Sequence, residues 1–146
     1  MTTTAVFNRQ RDQLRRDAIL SATPAQLVTM LYDRLLLDLR RAESAQDSGN
    51  WPVASENLLH AQAIIAELTA SLDTAAWDGA ENLLGIYNYV SSALVSASIH
   101  RDVDRTREAI RLLEPLQQTW HQAAATIPAQ GQTQPAVPAA GSLGIA

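Results

Sequence analysis

The chain has no cysteine, and all eleven of its basic residues are arginines. Without cysteine it can form no disulfide, thiol nucleophile, iron–sulfur cluster or cysteine-ligated zinc finger, and such a composition fits a reducing compartment. No stretch approaches the ~20 apolar residues of a membrane span, and the N-terminus lacks the apolar core of a signal peptide. We therefore expect a cytoplasmic protein with no membrane span.

The motifs of common catalytic and metal sites are also missing. The nearest approach to the Glu-x-x-His pattern of di-iron bundles is Glu56 with His60, which are one residue too far apart. His60, His100 and His121 fall near helix ends or on polar faces, which favours solvated histidines over haem or metal ligands. There is no glycine-rich phosphate loop and no H-E-x-x-H motif. We predict that the protein is not an enzyme and has no cofactor or metal; a catalytic or metal-binding bundle is the weakest alternative.

The charges are interspersed rather than concentrated. The net charge is −4, and arginines alternate with acids in stretches such as DRLLLDLRR and HRDVDRTRE. A nucleic-acid-binding protein would gather positive charge on one face, whereas mixed signs are typical of a solvated helix surface. We therefore expect no nucleic-acid partner.

Four segments have the apolar periodicity of amphipathic helices, and none has a β-pattern. They run from about 23 to 45, from 51 to 73, from about 80, and from 102 to 125. Helices of this length with short connections predict an all-α fold, an antiparallel up-and-down four-helix bundle over residues 21–125. Pro115 lies inside the last segment, and because a mid-helix proline loses a backbone hydrogen bond we expect a kink there, with two separate helices as the alternative.

Both ends of the chain differ from this bundle pattern. Residues 1–20 are polar with a few apolar positions, which predicts a flexible N-terminal arm able to form a short amphipathic helix. Residues 126–146 are rich in proline and glycine and carry no charged side chain, which predicts a disordered tail.

The apolar residues of each helix predict which face lies in the core. On the first helix this face is broad and comprises Leu27, Val28, Leu31, Tyr32, Leu35, Leu36, Leu39 and Ala42. On the last helix it comprises Ala109, Leu112, Leu113, Leu116, Trp120 and Ala123.

Three of the helices carry a second apolar strip away from the predicted core face. The strips comprise Met30 and Leu37 on the first helix, Leu59, Ala63, Ala66 and Ala70 on the second, and Leu84, Val95 and Ile99 on the third. A single exposed leucine is ordinary, and surface alanines often reflect helix propensity alone. Three strips together indicate a binding surface for a partner. We predict that these nine residues contact it.

Three segments, in order, resemble the family of FliS-type flagellar secretion chaperones. ATPAQLVTMLYDRLLLDLRRA is similar to the family's opening helix, matching at Pro24, Leu27, Met30, Leu31, Tyr32 and Asp33. HAQAIIAELTASLD matches at Ala61, Ile64, Ile65, Glu67, Leu68, Leu72 and Asp73, and NLLGIYNYVSSALVSASIHRD at Asn82, Leu83, Tyr87, Tyr89, Leu94, Ala97 and Asp102. Trp120 stands where the family has a late tryptophan.

This resemblance implies a cytoplasmic bundle that binds the disordered C-terminal segment of flagellin, which becomes helical as it wraps the chaperone. Binding would prevent premature polymerisation before flagellar type III secretion, and other flagellar proteins are possible further clients. The unbound chaperone would be a monomer or weak dimer. The alternative is a bundle whose strips pair with one another, so that it self-associates in a structural or regulatory role.

The sequence departs from the family pattern at three places. The family's N-terminal arm often has tyrosines that cover the binding surface, whereas this arm has Phe7 and Leu14, which we predict as the capping residues. Arg34 stands where many members have glycine, and Ser98 where many have asparagine, so local contacts with the partner would differ.

Overall fold

The computed structural model describes residues 2–21 and 23–126, and the regular elements of these residues are all α-helices. They are α1 (Thr2–Ser21), α2 (Pro24–Asp47), α3 (Trp51–Ser71), α4 (Ala80–Ile99) and α5 (Val103–Ala125). The predicted all-α class is confirmed, and the ends of α2 and α3 lie within two residues of their predicted positions. The predicted disordered tail, residues 126–146, lies outside the described residues except for Thr126.

The chain divides into two compact units. The larger unit, Val28–His121, contains α3, α4 and most of α2 and α5, and it holds the packing and the surface described below. The other unit contains α1 and residues of both chain ends. The predicted N-terminal arm is helical over Thr2–Ser21, and its flexibility stays a prediction.

The ends of α2 are fixed by local hydrogen bonds that the sequence predicts. The amide of Gln26 donates to Thr23 Oγ1 at 3.2 Å, and Gln26 Oε1 accepts from the amide of Thr23 at 2.9 Å. This reciprocal pair is the predicted capping box. At the other end Gly49 adopts φ +74°, and the amide of Asn50 donates to the carbonyl of Ala45 at 2.8 Å. A left-handed residue after the last turn lets the chain reverse into α3, and glycine takes that conformation without a Cβ clash.

Side-chain contacts establish the directions of the helices within residues 28–121. Arg40 pairs with Glu114 and Arg107 with Glu43. Because the earlier α2 residue meets the later α5 residue, these two helices are antiparallel. Tyr32 instead meets Tyr87 and Gln46 meets the carbonyl of Ala97, so α2 and α4 are parallel. The predicted up-and-down bundle of α2 to α5 is confirmed.

The core lies along the centre of these four helices. Buried side chains include Tyr32, Leu35, Leu39, Leu58, Ile65, Val90, Leu94 and Leu113. Two predictions for the core are wrong, because Leu27 and Leu112 are exposed. On α5 the buried face instead includes Thr106 and Ile110. Successive residues lie about 100° apart around a helix; with Ala109 and Leu113 facing inward, Leu112 therefore falls beside the core rather than in it.

Pro115 does not divide the last helix. α5 continues through it from Val103 to Ala125, so the alternative of two separate helices is wrong. The hydroxyl of Thr119 donates to the carbonyl of Pro115 at 3.0 Å in the following turn. The predicted kink stays a prediction.

Candidate interaction surface

Most of the predicted partner-contacting residues reach solvent. Met30, Leu37, Leu59, Ala63, Ala66, Ala70, Val95 and Ile99 are exposed, and Leu84 is half-buried. Leu59 is 59% exposed and Ile99 is 70% exposed. Large aliphatic side chains this open are not needed for the core, so they are available to contact another molecule.

The strips on α3 and α4 flank the same seam between the two helices. Ser55 of α3 and Ser98 of α4 line one cavity, so these two helix edges face each other. Helix geometry places Leu59 and Ala66 within about 40° of Ser55 around α3. On α4 it places Leu84 and Val95 within about 60° of Ser98.

We call the set on both helices the α3–α4 surface: Leu59, Ala63, Ala66, Ala70, Leu84, Val95 and Ile99. The alanines present only methyl groups, so they form a shallow floor beside the larger side chains. Charge is scarce on the α4 half of this surface, since Glu81 is the one acidic or basic residue within α4, whereas the exposed Glu56 and Glu67 of α3 lie within about 40° of Ala63 around that helix. An apolar channel with acidic residues at its α3 edge suits the apolar face of an amphipathic partner helix.

Met30 and Leu37 lie on the outer side of α2 and are separated from α3 by a polar region. Arg34, Asp38 and Arg41 of α2 line a cavity of about 550 Å³ together with Glu56, Asn57, Leu59 and His60 of α3. Met30 and Leu37 therefore form a second apolar patch that is not continuous with the α3–α4 surface.

The polar region between α2 and α3 contains a buried carboxylate. The side chain of Asp38 is fully buried; it accepts a hydrogen bond from Arg34 Nε at 3.0 Å and contacts His60 Nδ1. The sequence predicts a solvated His60, and its side chain is half-exposed. Its contact with Asp38 was not predicted. The available clue was symmetry about the turn, because Asp38 and His60 lie equally far before and after Gly49.

Two further polar pairs in the bundle interior were also missed. The hydroxyls of Tyr32 and Tyr87 are 2.7 Å apart, and burial raises the pKa of both above the usual tyrosine value. Thr106 Oγ1 donates to Gln46 Oε1 at 2.7 Å. Each pair satisfies groups that would be costly to bury alone.

Phe7 and Leu14, the predicted capping residues, lie on α1 and are exposed. They are seven residues apart, so helix geometry places them about 20° from each other around α1. Their capping role stays a prediction.

Residues 2–21 and 23–126 contain no cluster suited to a metal ion and no helix suited to span a membrane. Nowhere in these residues do three His, Cys, Asp or Glu side chains gather to hold a metal ion. The helices of this part of the chain are too short or too polar to cross a membrane.

The fold and this surface define a class of protein: an all-α bundle with exposed apolar side chains along one outer seam. A bacterial flagellar chaperone of known crystal structure has the same fold, with a TM-score of 0.65 at 17% identity, over 80% of this chain and 99% of that one. The flagellar secretion chaperone FliS of Escherichia coli K12 is 33% identical over 105 residues, which are 70% of this chain and 77% of the relative. The FliS protein of Bacillus subtilis 168 is 29% identical over 109 residues, 75% of this chain and 81% of the relative.

A family model described as flagellar protein FliS matches residues 7–127. The chain therefore belongs to the FliS family of flagellar secretion chaperones, and the resemblance found in its sequence is confirmed. Membership supports a chaperone role in flagellar export, within a family that is not enzymatic.

Proposed function

We propose that the protein is a cytoplasmic export chaperone that binds the disordered C-terminal segment of flagellin by helix-in-groove contacts. Binding would keep flagellin from polymerising before flagellar type III secretion. The observation that carries this proposal is the α3–α4 surface, where Leu59, Val95 and Ile99 are exposed beside a row of alanines.

The energetics of such binding are favourable. Burying the four large side chains of the α3–α4 surface together with Met30 and Leu37, at roughly 1.5–3 kcal/mol each, would contribute about 10 kcal/mol. A disordered segment that folds on binding loses about 2–5 kcal/mol through ordering. The α3–α4 surface and the second patch together therefore offer enough apolar area to offset the ordering of a client that becomes helical on binding.

The shape of the surface favours a helical client over an extended one. The alanines at positions 63, 66 and 70 follow helical spacing, so the floor runs along the axis of α3. An amphipathic client helix lying along this floor would place side chains at i, i+3, i+4 and i+7 against Leu59 and the α4 strip. Met30 and Leu37 would serve as a second contact patch for a client long enough to extend past the polar region between α2 and α3.

The test is a titration of the full chain with the C-terminal 50 or so residues of the host's flagellin. We expect saturable binding and a gain in helicity, measured by circular dichroism, beyond the sum of the two separate spectra. A scrambled segment of identical composition is the control. No binding, or binding without a gain in helicity, would contradict the proposal.

Self-association is the second candidate function, and the exposure of Ile99 and Leu59 favours it as well. Two copies could bury the same surface against each other about a two-fold axis. Sedimentation across a range of concentrations separates the two functions. The chaperone proposal expects a monomer or weak dimer that the flagellin segment converts to a heterodimer, whereas the alternative expects a stable oligomer that the segment does not dissociate.

A further inference from the structure

A cavity of about 370 Å³ lies between the first turns of α3 and the end of α4. Trp51 and Leu58 belong to its apolar lining, and Ser55 and Ser98 contribute hydroxyl groups. These two serines also mark the seam beside the α3–α4 surface, so the cavity lies at one end of that surface.

Gln46 gives this cavity a buried hydrogen-bond donor. The residue is only 5% exposed and lines the cavity. Its Oε1 accepts from Thr106 at 2.7 Å, and its Nε2 donates to the carbonyl of Ala97 at a long 3.4 Å. The amide nitrogen has two hydrogens, and no second acceptor for it is found among the described residues. A buried amide hydrogen without a partner is uncommon, since such groups are normally satisfied.

Arg101 supplies a positive charge to the same cavity from a strained backbone position. Its φ is +52°, and the amide of Asp102 donates to the carbonyl of Ala97 at 3.0 Å. This is the helix-ending geometry in which glycine is normal, as Gly49 is after α2. A residue with a Cβ is strained there, and such strain persists mostly at functional positions.

The side chain of Arg101 is directed by a neighbour on another helix. Its guanidinium carbon lies 5.0 Å from the centre of the Trp51 ring, which is cation–π distance. Within the described part of the chain, no carboxylate forms an ion pair with Arg101. The guanidinium is thus held in place by an aromatic ring while its charge is left unneutralised.

The lining of the cavity carries one cation and no acidic residue, although the whole chain has a net charge of −4. We propose that this cavity binds a carboxylate with an apolar stem, which Arg101 pairs with and to which Gln46 Nε2 donates a hydrogen bond. In the complex the carboxylate belongs to the client, either as an Asp or Glu side chain or as the chain's C-terminal carboxylate. This last statement rests on the proposed function, whereas the carboxylate site does not.

The carboxylate site is tested without any client by NMR of the full chain. The chain has three tryptophans, so three indole N–H signals report on it, and Trp51→Phe assigns the one from Trp51. We expect N-acetyl-leucine at millimolar concentration to shift the Trp51 signal and leave the other two in place, and N-acetyl-leucinamide to have no such effect. Equal responses to both compounds, or no response of Trp51, would overturn the site.

Matched variants connect the response to the guanidinium. Arg101→Gln should remove the Trp51 shift, and Arg111→Gln, an exposed arginine on α5 outside the cavity, should keep it. Arg101→Gly removes the charge and relaxes the left-handed backbone, so it should bind less while melting no lower than the parent. A normal carboxylate response in Arg101→Gly would overturn the proposal, and its loss could not be attributed to unfolding.

The source of the carboxylate is tested with the flagellin segment in three forms: with a free C-terminus, with an amidated C-terminus, and with its acidic side chains changed to amides. Arg101→Gln should weaken binding of the unmodified segment by about fivefold, as expected for a partly exposed charge pair. The modified form that loses the same factor identifies the source. If neither modified form loses affinity, the client assignment is overturned. If the unmodified segment does not bind the parent protein, the proposed function fails together with that assignment, while the NMR result stands separately.

Discussion

The seam between α2 and α5 and the seam between α3 and α4 differ in the chemistry of their side chains. Along the α2–α5 seam, Arg107 binds Glu43 and Asp47, each at 2.9 Å, and Arg40 pairs with Glu114. The hydrogen bond to Glu43 and the charge of Asp47 raise the pKa of the Arg107 guanidinium. Along the α3–α4 seam no side-chain hydrogen bond or ion pair joins the two helices, within the residues that the structure describes.

The α2–α5 seam is therefore a surface whose charged groups are already paired, and the α3–α4 seam is a surface whose apolar groups are still exposed. On the α2–α5 seam, the charged side chains form ion pairs within the chain, and their partly exposed charged groups remain hydrated. On the α3–α4 seam, the exposed groups are methyl groups and aliphatic side chains. Covering them with another molecule would remove apolar surface from water and so lower the free energy. The comparison predicts that substitutions on the α3–α4 seam change binding, and that substitutions on the α2–α5 seam change stability slightly and binding not at all.

The largest expected effect is that of Leu59→Asp. A charge placed in the middle of the α3–α4 surface would have to be desolvated by the client, so we expect affinity for the flagellin segment to fall by about 100-fold or more. The free energy of unfolding should fall by only about 0.5 kcal/mol, because Leu59 is exposed and aspartate is a slightly poorer helix former than leucine. Fluorescence anisotropy of a labelled segment measures the first quantity and thermal melting the second.

Leu112→Asp is the matched control for that variant, because Leu112 is also an exposed leucine but lies on α5. It should bind the segment as the parent does. Loss of the folded state in Leu59→Asp would mean that Leu59 belongs to the core, and equal losses of binding in both variants would mean that contact with the segment is not confined to the α3–α4 surface.

A smaller effect is expected from charging the alanine floor. Ala66→Glu and Ala66→Arg should each weaken binding by about 10-fold, because either side chain fills the shallow channel with a charged group. Glutamate and arginine are both good helix formers, so the fold should be retained. Isothermal titration calorimetry of both variants with the flagellin segment measures these affinities. If one sign of charge strengthens binding, the contact at this position is electrostatic rather than apolar.

The second apolar patch is tested by Leu37→Asp. Because Arg34 and Asp38 stand between this patch and α3, we expect it to contact only part of the client and the loss of affinity to be about fivefold. Anisotropy with a segment shortened at either end would show which part of the client reaches it. A loss as large as that of Leu59→Asp would mean that both patches form a single binding site.

The smallest effect is expected on the other seam. Arg40→Ala removes the pair with Glu114, whose partners are both about half-exposed, so the free energy of unfolding should fall by about 0.2–1 kcal/mol at low salt. The loss should shrink at high ionic strength because salt screens exposed pairs. Urea unfolding at two salt concentrations measures it, and any change in affinity for the segment would contradict the division between the seams.

The helices were predictable from sequence because their signals are local. Apolar spacing gave their extent, and Thr23, Asn50 and Gly49 marked their ends through hydrogen bonds to neighbouring residues. The rotation of each helix within the bundle was less predictable. Ile110 and Leu112 lie about 160° apart on opposite sides of the apolar face of α5, and only packing against the other helices decides which of them is buried.

The surface residues show the same limit. The strips on α3 and α4 could be found from spacing alone, but sequence could not tell that they share one seam or that Met30 and Leu37 lie beyond a polar region. The contact between Asp38 and His60 depends on the antiparallel pairing of α2 and α3, and the cavity at Arg101 depends on how a helix end meets Trp51. Both arise from residues far apart in the chain, which periodicity does not relate.

The most direct test of the account is cysteine footprinting, because the natural chain has no cysteine to interfere. Ala63→Cys places a single thiol on the exposed floor of the α3–α4 surface, and Gln118→Cys places one on the exposed side of α5. Alkylation rates are measured with and without the flagellin segment. The account predicts that the segment slows alkylation of Ala63→Cys strongly and leaves that of Gln118→Cys unchanged; equal protection of both, or protection of Gln118→Cys alone, would contradict it.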